Sequence, residues 1–222
     1  MQAKKQLTHN SQTPLDSLFE NIAQDIIEQG YSIQCKAIPK ELSDILYFHL
    51  SNMAEYKFSD ASIGRQFSQQ LDETVRNDTI SWIHGNSPAG AQWLSWTQAL
   101  QSYLNRRLFL GLFSFESHFA HYAKGHFYKR HLDAFKGQAN RVLSLVSYLN
   151  PDWKSSNGGE LVIYKSASDQ IGTKVLPEYG TIVVFLSEEF EHEVKPALQD
   201  RYSIAGWFRV NTSTADKIDP PL

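Results

Sequence analysis

The fold is decided by a stretch of alternating side chains, Val142-Leu143-Ser144-Leu145-Val146-Ser147-Tyr148-Leu149. Residues two apart in an extended chain face the same side, so this stretch predicts a β-strand. Seven further segments are also short and rich in β-branched and aromatic residues, with Gly, Asn, Pro and Asp turns between them. The eight predicted strands cover residues 112–122, 126–131, 141–149, 160–165, 173–176, 181–186, 191–194 and 202–210. Eight short strands within residues 109–211 predict a double-stranded β-helix, or jelly roll.

The region before this core, residues 13–108, has a helical pattern instead. Its apolar residues recur at helical spacing in three places, each with a recognisable start signal. The helices are predicted to begin at Thr13-Pro14, Pro39 and Pro88, and short strands are predicted at residues 31–38 and 79–83. Because the helices precede the strands, we expect them to form a support region packed on the major sheet of the jelly roll. The predicted class is therefore α+β.

Three segments fall outside this pattern. Residues 55–77 are polar and show little periodicity. Loops of this length in compact domains are usually functional or mobile, so we predict a mobile loop, which is either a lid that closes over a substrate or a solvated loop without a function. Residues 1–12 are predicted to be a disordered tail, and residues 212–222 a C-terminal tail.

The composition narrows the class of protein. The 222 residues carry a formal net charge of -3 and no run of Lys or Arg, so no nucleic-acid partner is expected. A single cysteine, Cys35, excludes an internal disulfide and a thiolate zinc cluster. No stretch approaches about 18 apolar residues, so no membrane span is expected, and the N-terminus lacks the apolar segment of a signal peptide. We therefore expect a cytoplasmic protein.

Three residues are suited to converge on one metal ion. His131 and Asp133 follow a predicted strand, and residues i and i+2 of an extended chain face the same side. A third ligand must come from elsewhere, and His192, at the start of another predicted strand, is the best candidate. Two histidines and one carboxylate on one face of a metal leave coordination positions open, as in the facial triad of non-haem Fe(II) oxygenases. A zinc hydrolase could use the same three ligands.

A candidate anion-binding residue, Arg201, follows nine residues after His192. On a strand that leads away from the metal, its guanidinium could bind the distal carboxylate of a dicarboxylic acid through two hydrogen bonds. The alternative is a surface salt bridge with Asp200 or a nearby glutamate. A zinc hydrolase would not explain this arginine, so the pair of features favours an oxygenase.

Residues 76–210 resemble the prolyl hydroxylase branch of the Fe(II)- and 2-oxoglutarate-dependent oxygenases, and in particular the cytoplasmic oxygen-sensing hydroxylases and their bacterial relatives. Several motifs carry the resemblance in order and at similar spacing. They are Arg76-Asn77-Asp78-Thr79-Ile80-Ser81-Trp82-Ile83-His84-Gly85, Tyr122-Ala123-Lys124-Gly125, Tyr128-Lys129-Arg130-His131-Leu132-Asp133, Tyr148-Leu149-Asn150-Pro151-Asp152-Trp153, Gly158-Gly159-Glu160-Leu161, His192-Glu193-Val194-Lys195-Pro196-Ala197 and Arg201-Tyr202-Ser203-Ile204.

The resemblance implies roles for residues outside the triad. Tyr148 and Tyr122 match tyrosines that bind the cosubstrate 2-oxoglutarate beside the arginine. Leu161 and Trp207 match residues that line the pocket and keep it dry. Ala205 departs from the family pattern, because the animal oxygen sensors have a threonine there that also touches the cosubstrate. The expected cofactors are Fe(II), 2-oxoglutarate and O2, with ascorbate as a reductant, and no catalytic residue is expected beyond the metal centre.

The activity implied by the resemblance is hydroxylation of a prolyl residue at C4 in a cytosolic protein, with a translation factor such as elongation factor Tu as the first candidate. Two alternatives use the same chemistry: hydroxylation of a free amino acid, and nucleic-acid demethylation of the AlkB type. The AlkB type carries a second arginine six residues after the first, where this chain has Trp207. A third alternative is a non-catalytic, cupin-like binding module, which the complete set of ligands argues against.

Overall fold

The computed structural model describes residues 13–54, 57–61, 74–134 and 140–213. The helices are α1 (Pro14–Gln29), α2 (Lys40–Ser51) and α3 (Pro88–Leu108). The strands are β1 (Tyr31–Gln34), β2 (Ser59–Asp60), β3 (Thr79–Trp82), β4 (Ser114–Tyr122), β5 (Tyr128–His131), β6 (Arg141–Tyr148), β7 (Leu161–Tyr164), β8 (Thr173–Val175), β9 (Ile182–Leu186), β10 (Glu191–Val194) and β11 (Arg201–Arg209). The three predicted helices and the eight predicted core strands are confirmed.

The strands form two antiparallel sheets that face each other. The major sheet has the order β1-β9-β6-β11-β4-β3-β2, and the minor sheet has the order β5-β10-β7-β8. Consecutive core strands pass from one sheet to the other, except that β7 and β8 are neighbours in the minor sheet, and this is the arrangement of a jelly roll. At the centre of the major sheet, β11 pairs with β4 on one side and with β6 on the other. The predicted fold class is confirmed.

Strand β6 shows why its sequence alternates. Leu143 and Leu145 belong to the hydrophobic core that the helices share with the major sheet. Tyr148 belongs to a second hydrophobic core between the two sheets, and Val146 packs against it. The strand is buried on both faces, because helices cover one face of the sheet and the minor sheet covers the other.

The helices cover the outer face of the major sheet, as predicted. Thr13 caps α1 in a reciprocal capping box with Asp16, and Gly30 ends the helix in the left-handed conformation at φ 80°. Residues from all three helices share one buried core with strand residues of the major sheet such as Ile204 and Phe208. None of the helices in the described part of the chain is long and apolar enough to cross a bilayer.

The predicted loop at residues 55–77 contains a feature that the sequence pattern does not signal. Strand β2 lies within this range and pairs with β3 at the edge of the major sheet. Residues 55–56 and 62–73 lie outside the described residues, so the mobile lid stays a prediction. The same holds for the tail at residues 1–12 and for most of the tail at residues 212–222, and the division between residues 13–108 and 109–211 also stays a prediction.

The shared core predicts that α3 is essential for the stability of the sheet. Leu100 is fully buried in this core, so Leu100→Ala should lower the free energy of unfolding by about 2–5 kcal/mol. Gln98, on the same helix, is exposed, and Gln98→Ala should change it by less than about 0.5 kcal/mol. Urea unfolding followed by circular dichroism measures both values. Equal values for the two variants would contradict the packing described here.

Candidate metal centre

The three predicted metal ligands meet between the two sheets. His131 ends β5 and lies opposite His192 in β10, and Asp133 follows two residues later on the same side as His131. The Nε2 atom of His131 lies 3.6 Å from one oxygen of Asp133, and that of His192 lies 3.7 Å from the other. All three ligand atoms lie within 4.8 Å of one another. The structure thus brings together the three residues predicted from the sequence.

Backbone carbonyl groups fix the orientation of both imidazole rings. Nδ1 of His131 lies 2.7 Å from the carbonyl oxygen of Lys129, and Nδ1 of His192 lies 3.1 Å from that of Phe190. A carbonyl oxygen can only accept a hydrogen bond, so each Nδ1 must carry the proton. Each Nε2 therefore keeps its lone pair and points it at the shared position.

The protonation states also suit a metal ion. Burial lowers the pKa of His192 to about 4, so this imidazole is neutral at physiological pH. Burial by itself would raise the pKa of Asp133, but His192 and His131 beside it hold it well below the ordinary value. Two imidazoles and one carboxylate on one side leave the other coordination positions open, so the residues present fit a non-haem Fe(II) ion.

The ligand Asp133 is held by a residue that the sequence analysis did not identify. The hydroxyl of Ser144 in β6 donates a hydrogen bond of 2.6 Å to Asp133 and lies 2.9 Å from the hydroxyl of Ser187. Such partners orient a metal ligand without touching the metal. Ser144 alternates with Val146 and Tyr148 on the inward face of β6, and a serine in that position is the sequence signal that could have found it.

The cluster opens into a cavity of about 330 Å³ that also contains Arg201. Arg201 is 1% exposed, and it donates to the carbonyl of Gly159 at 2.9 Å and to the hydroxyl of Ser203 at 3.2 Å. No carboxylate of the described residues forms an ion pair with it. Asp200, the alternative partner considered above, instead lies 3.2 Å from His121. A buried guanidinium without a counter-ion is costly, so the cavity is suited to an anionic ligand.

The two predicted tyrosines flank this guanidinium. The centre of the Tyr122 ring lies 5.0 Å from the guanidinium carbon of Arg201, and that of Tyr148 lies 5.1 Å from it. Tyr122 lines the cavity. Tyr148 is fully buried, its hydroxyl has no hydrogen-bond partner, and burial raises its pKa to about 12. The Tyr148 hydroxyl is thus a protonated donor next to the cation.

The predicted wall residues also lie in the cavity. Leu161, Trp207 and Ala205 line it, and the guanidinium of Arg141 stacks 3.6 Å from the centre of the Trp207 ring. Ala205 has no side-chain polar group, so any hydrogen bond at this position must come from a neighbouring residue.

Other cavity residues were not assigned a role from the sequence. Arg76 forms a two-point ion pair with the buried Asp78 and stacks on Tyr128 at 4.3 Å. Tyr128 in turn stacks on the ligand His131 at 3.6 Å. His118 lies buried in the same wall. Arg76 and Tyr128 stand in the motifs quoted above, but only the pairing of strands brings them and His118 to one cavity wall, so the motifs do not signal their contacts.

A jelly roll whose inner cavity joins a His-Asp-His cluster to a buried arginine defines a non-haem metal oxygenase. In agreement, the family model for the 2OG-Fe(II) oxygenase superfamily matches residues 117–209. A Pseudomonas putida prolyl-4-hydroxylase is 38% identical with a TM-score of 0.76, and the match covers 87% of this chain and 98% of that one. The chain therefore belongs to the 2OG-Fe(II) oxygenase superfamily, whose chemistry requires Fe(II), 2-oxoglutarate and O2.

Two further relatives are similar to this chain. A prolyl hydroxylase from Trichoplax adhaerens, solved with a peptide fragment of the hypoxia inducible factor oxygen degradation domain, is 26% identical with a TM-score of 0.75, over 88% of this chain and 90% of that one. Human Egl nine homolog 1 is 29% identical over 163 residues, which are 68% of this chain and 37% of that protein. The chain thus spans less than half the length of this curated relative.

The hydrogen bond from Ser144 predicts a loss of metal affinity without loss of a ligand. Ser144→Ala should raise the dissociation constant for Fe(II), measured by anaerobic titration, roughly 10- to 100-fold. Ser147, on the same strand, has a buried hydroxyl without a hydrogen bond. Ser147→Ala should therefore leave the dissociation constant within about twofold. A Ser144→Ala protein that binds Fe(II) normally would show that Asp133 needs no orienting partner.

The buried histidines predict that the metal-free protein loses stability in acid. Burial lowers the pKa of both His118 and His192 to about 4, whereas unfolded histidine titrates near about 6.5. Between these values the unfolded chain binds more protons, so stability falls as the pH falls. Each histidine should cost about 2 kcal/mol between pH 7.5 and 5. Urea unfolding with a chelator present should give a smaller pH dependence for His118→Gln, and an unchanged one would contradict the assignment.

Proposed function

We propose that this chain is an Fe(II)- and 2-oxoglutarate-dependent dioxygenase that hydroxylates C4 of a prolyl residue in a polypeptide. The observation that carries the proposal is the buried Arg201, which has no counter-ion among the described residues and lies in one cavity with the His-Asp-His cluster. A dicarboxylic acid satisfies both features at once, because one end can reach the metal and the other can neutralise the guanidinium.

Each part of the site has a role in this proposal. His131, Asp133 and His192 would hold Fe(II) through two Nε2 atoms and a carboxylate oxygen. Arg201 would bind the distal carboxylate of 2-oxoglutarate, and the unpartnered hydroxyl of Tyr148 would donate a second hydrogen bond to it. Bound Fe(II), with 2-oxoglutarate and O2, supplies the oxidation of an unactivated C–H bond.

The remaining cavity residues would position the reactants and limit the access of water. Tyr122 lies against the guanidinium and would line the cosubstrate pocket. Leu161 and Trp207 are 1% and 9% exposed and would keep the pocket dry. A dry pocket strengthens the ionic contact with Arg201, because the local dielectric constant is low.

A polypeptide substrate is supported by the similarity to prolyl hydroxylases, one of which was solved with a peptide. Our first candidate is a cytosolic translation factor such as elongation factor Tu, with ascorbate as the reductant. No observation favours a free amino acid. Trp207 occupies the position of the second arginine of AlkB-type enzymes, which argues against a nucleic-acid substrate.

The unpartnered hydroxyl of Tyr148 predicts effects of opposite sign on binding and on stability. Tyr148→Phe should raise the dissociation constant for 2-oxoglutarate roughly tenfold, because a donor to a carboxylate is lost. It should leave the metal-free protein equally stable or more stable, because no hydrogen bond breaks. Titration of the visible band of the anaerobic Fe(II) protein with 2-oxoglutarate measures binding.

Two controls accompany this titration. Tyr103 donates its hydroxyl to Glu20 at 2.8 Å, far from the cavity, so Tyr103→Phe should bind 2-oxoglutarate normally. His131→Ala should show no band at all. If the wild-type protein showed no band with Fe(II) and 2-oxoglutarate, the oxygenase proposal would be wrong.

The substrate is identified by mass spectrometry of cells with and without the gene. We expect prolyl peptides that are about 16 Da heavier only when the active protein is present, since one oxygen atom is added. The His131→Ala protein is the matched control. If the added oxygen appears only on nucleic acid or on free amino acids, peptidyl proline is not the substrate.

A further inference from the structure

A buried histidine in the cavity wall has no role in the proposal so far. His118 lies in the middle of β4 and is 3% exposed, yet it lines the same cavity as the metal cluster. Two tryptophans hold the ring in place. The ring centres of Trp82 and Trp207 lie 5.3 Å and 5.6 Å from that of His118. The two indoles therefore pack against the imidazole and restrict its rotation.

The hydrogen bond of His118 defines which ring nitrogen carries the proton. Nδ1 lies 3.3 Å from the carbonyl oxygen of Phe119, and a carbonyl oxygen accepts only, so Nδ1 is the protonated nitrogen. Burial lowers the pKa of His118 to about 4, which keeps the ring neutral. Nε2 is therefore an acceptor, and it has no hydrogen-bond partner in the described part of the chain.

Strand pairing places His118 at the end of the cavity remote from Arg201. His118 lies opposite Ala205, whereas Arg201 lies opposite Tyr122. Four residues of extended strand separate the two positions, which is roughly 13 Å. Trp207, which contacts His118, lies opposite Ser144, the residue that donates to Asp133. The imidazole ring of His118 therefore lies at the end of the cavity near the metal cluster. A ligand bound to Arg201 would start from the opposite end.

The neighbours of His118 leave this acceptor available to a ligand. Ala205 on the next strand has no polar side-chain atom that could occupy Nε2. Of the two cations nearby, Arg76 donates to Asp78 and Arg141 donates to Glu116, each through Nε and one Nη. The buried Nε1–H of Trp207 has no hydrogen-bond partner, so it does not occupy this acceptor either. The carboxylates and the keto group of 2-oxoglutarate are acceptors themselves, so the cosubstrate cannot satisfy Nε2.

We propose that His118 is a substrate-binding residue whose Nε2 accepts a hydrogen bond from a backbone N–H of the bound polypeptide, beside the target proline. The inference rests on the proposed function, since it requires a polypeptide in the cavity. A proline has no N–H of its own, so the donor is the N–H of a residue next to it. The contact fixes the polypeptide relative to the metal and selects against ligands that lack a donor there.

The state of the ring is tested without a substrate. Long-range 1H–15N correlation spectra of histidine-labelled protein, with Zn(II) in the metal site, should show Nδ1 of His118 protonated and Nε2 unprotonated at pH 7.5. His118→Gln assigns the signal. A protonated Nε2 would overturn the proposal, because the ring would then be a donor and would fit the cosubstrate or a carbonyl group.

The role in substrate binding is tested with two variants and one control. His118→Leu removes the acceptor at similar volume, and His118→Gln can keep one. His121, also in β4, stacks on Tyr202 with ring centres 4.7 Å apart, outside the cavity, so His121→Leu is the control. The substrate for these assays is the prolyl polypeptide that mass spectrometry finds hydroxylated only in cells with the active protein. Elongation factor Tu is tested first.

We expect His118→Leu to raise the KM for the polypeptide roughly tenfold, as for one lost hydrogen bond. The KM for 2-oxoglutarate should stay within about twofold, because Nε2 of His118 cannot receive a hydrogen bond from the cosubstrate, and His118→Gln should recover most of the loss. An unchanged KM for the polypeptide, or a raised KM for 2-oxoglutarate, would overturn the inference. The proposed function itself would be wrong if the wild-type protein consumed no 2-oxoglutarate or hydroxylated no prolyl residue. That result is distinguishable from an effect of the His118 variants alone.

Discussion

The site is organised around a positive charge that the described residues do not neutralise. The guanidinium of Arg201 is removed from water, and its protein partners are a carbonyl and a hydroxyl, not a carboxylate. Such a buried charge is stable only if the surrounding structure holds it rigidly and a ligand supplies the missing negative charge. The tyrosine rings on both sides and the central position of β11 supply that rigidity. The interior of the jelly roll is therefore stable in a form that is complementary to an anion.

The register of β11 distributes the functions along the cavity. Arg201, Ser203, Ala205 and Trp207 alternate with residues that face the helical core. Each of the four has a defined partner on β4, and all but Arg201 also have one on β6. The anion-binding Arg201, the small Ala205 and the aromatic Trp207 therefore lie at fixed distances from one another. One strand thus sets the spacing between cosubstrate, metal and polypeptide, and the helices behind it prevent the strand from shifting.

The sequence predicts the parts of this molecule that depend on short-range pattern. Strands, helices and the His131–Asp133 pair follow from alternation and spacing, and His192 and Arg201 follow from their places on later strands. The contact of Ser144 with Asp133 and the role of His118 depend on which strands become neighbours, so local pattern gives at most the inward position of Ser144 on its strand. Tyr148 shows an intermediate case: its proximity to the arginine was predicted, but its burial behind the cavity, with an unpartnered hydroxyl, depends on the packing of both sheets.

The two ligand histidines are oriented by the carbonyl groups of Lys129 and Phe190, each two residues earlier in the chain. A main-chain carbonyl is present whatever side chain occupies the position, so substitutions there cannot remove the orienting group. The surrounding side chains, including those that contact the substrate, can therefore be substituted while the main chain of the strand still holds both imidazole rings in place.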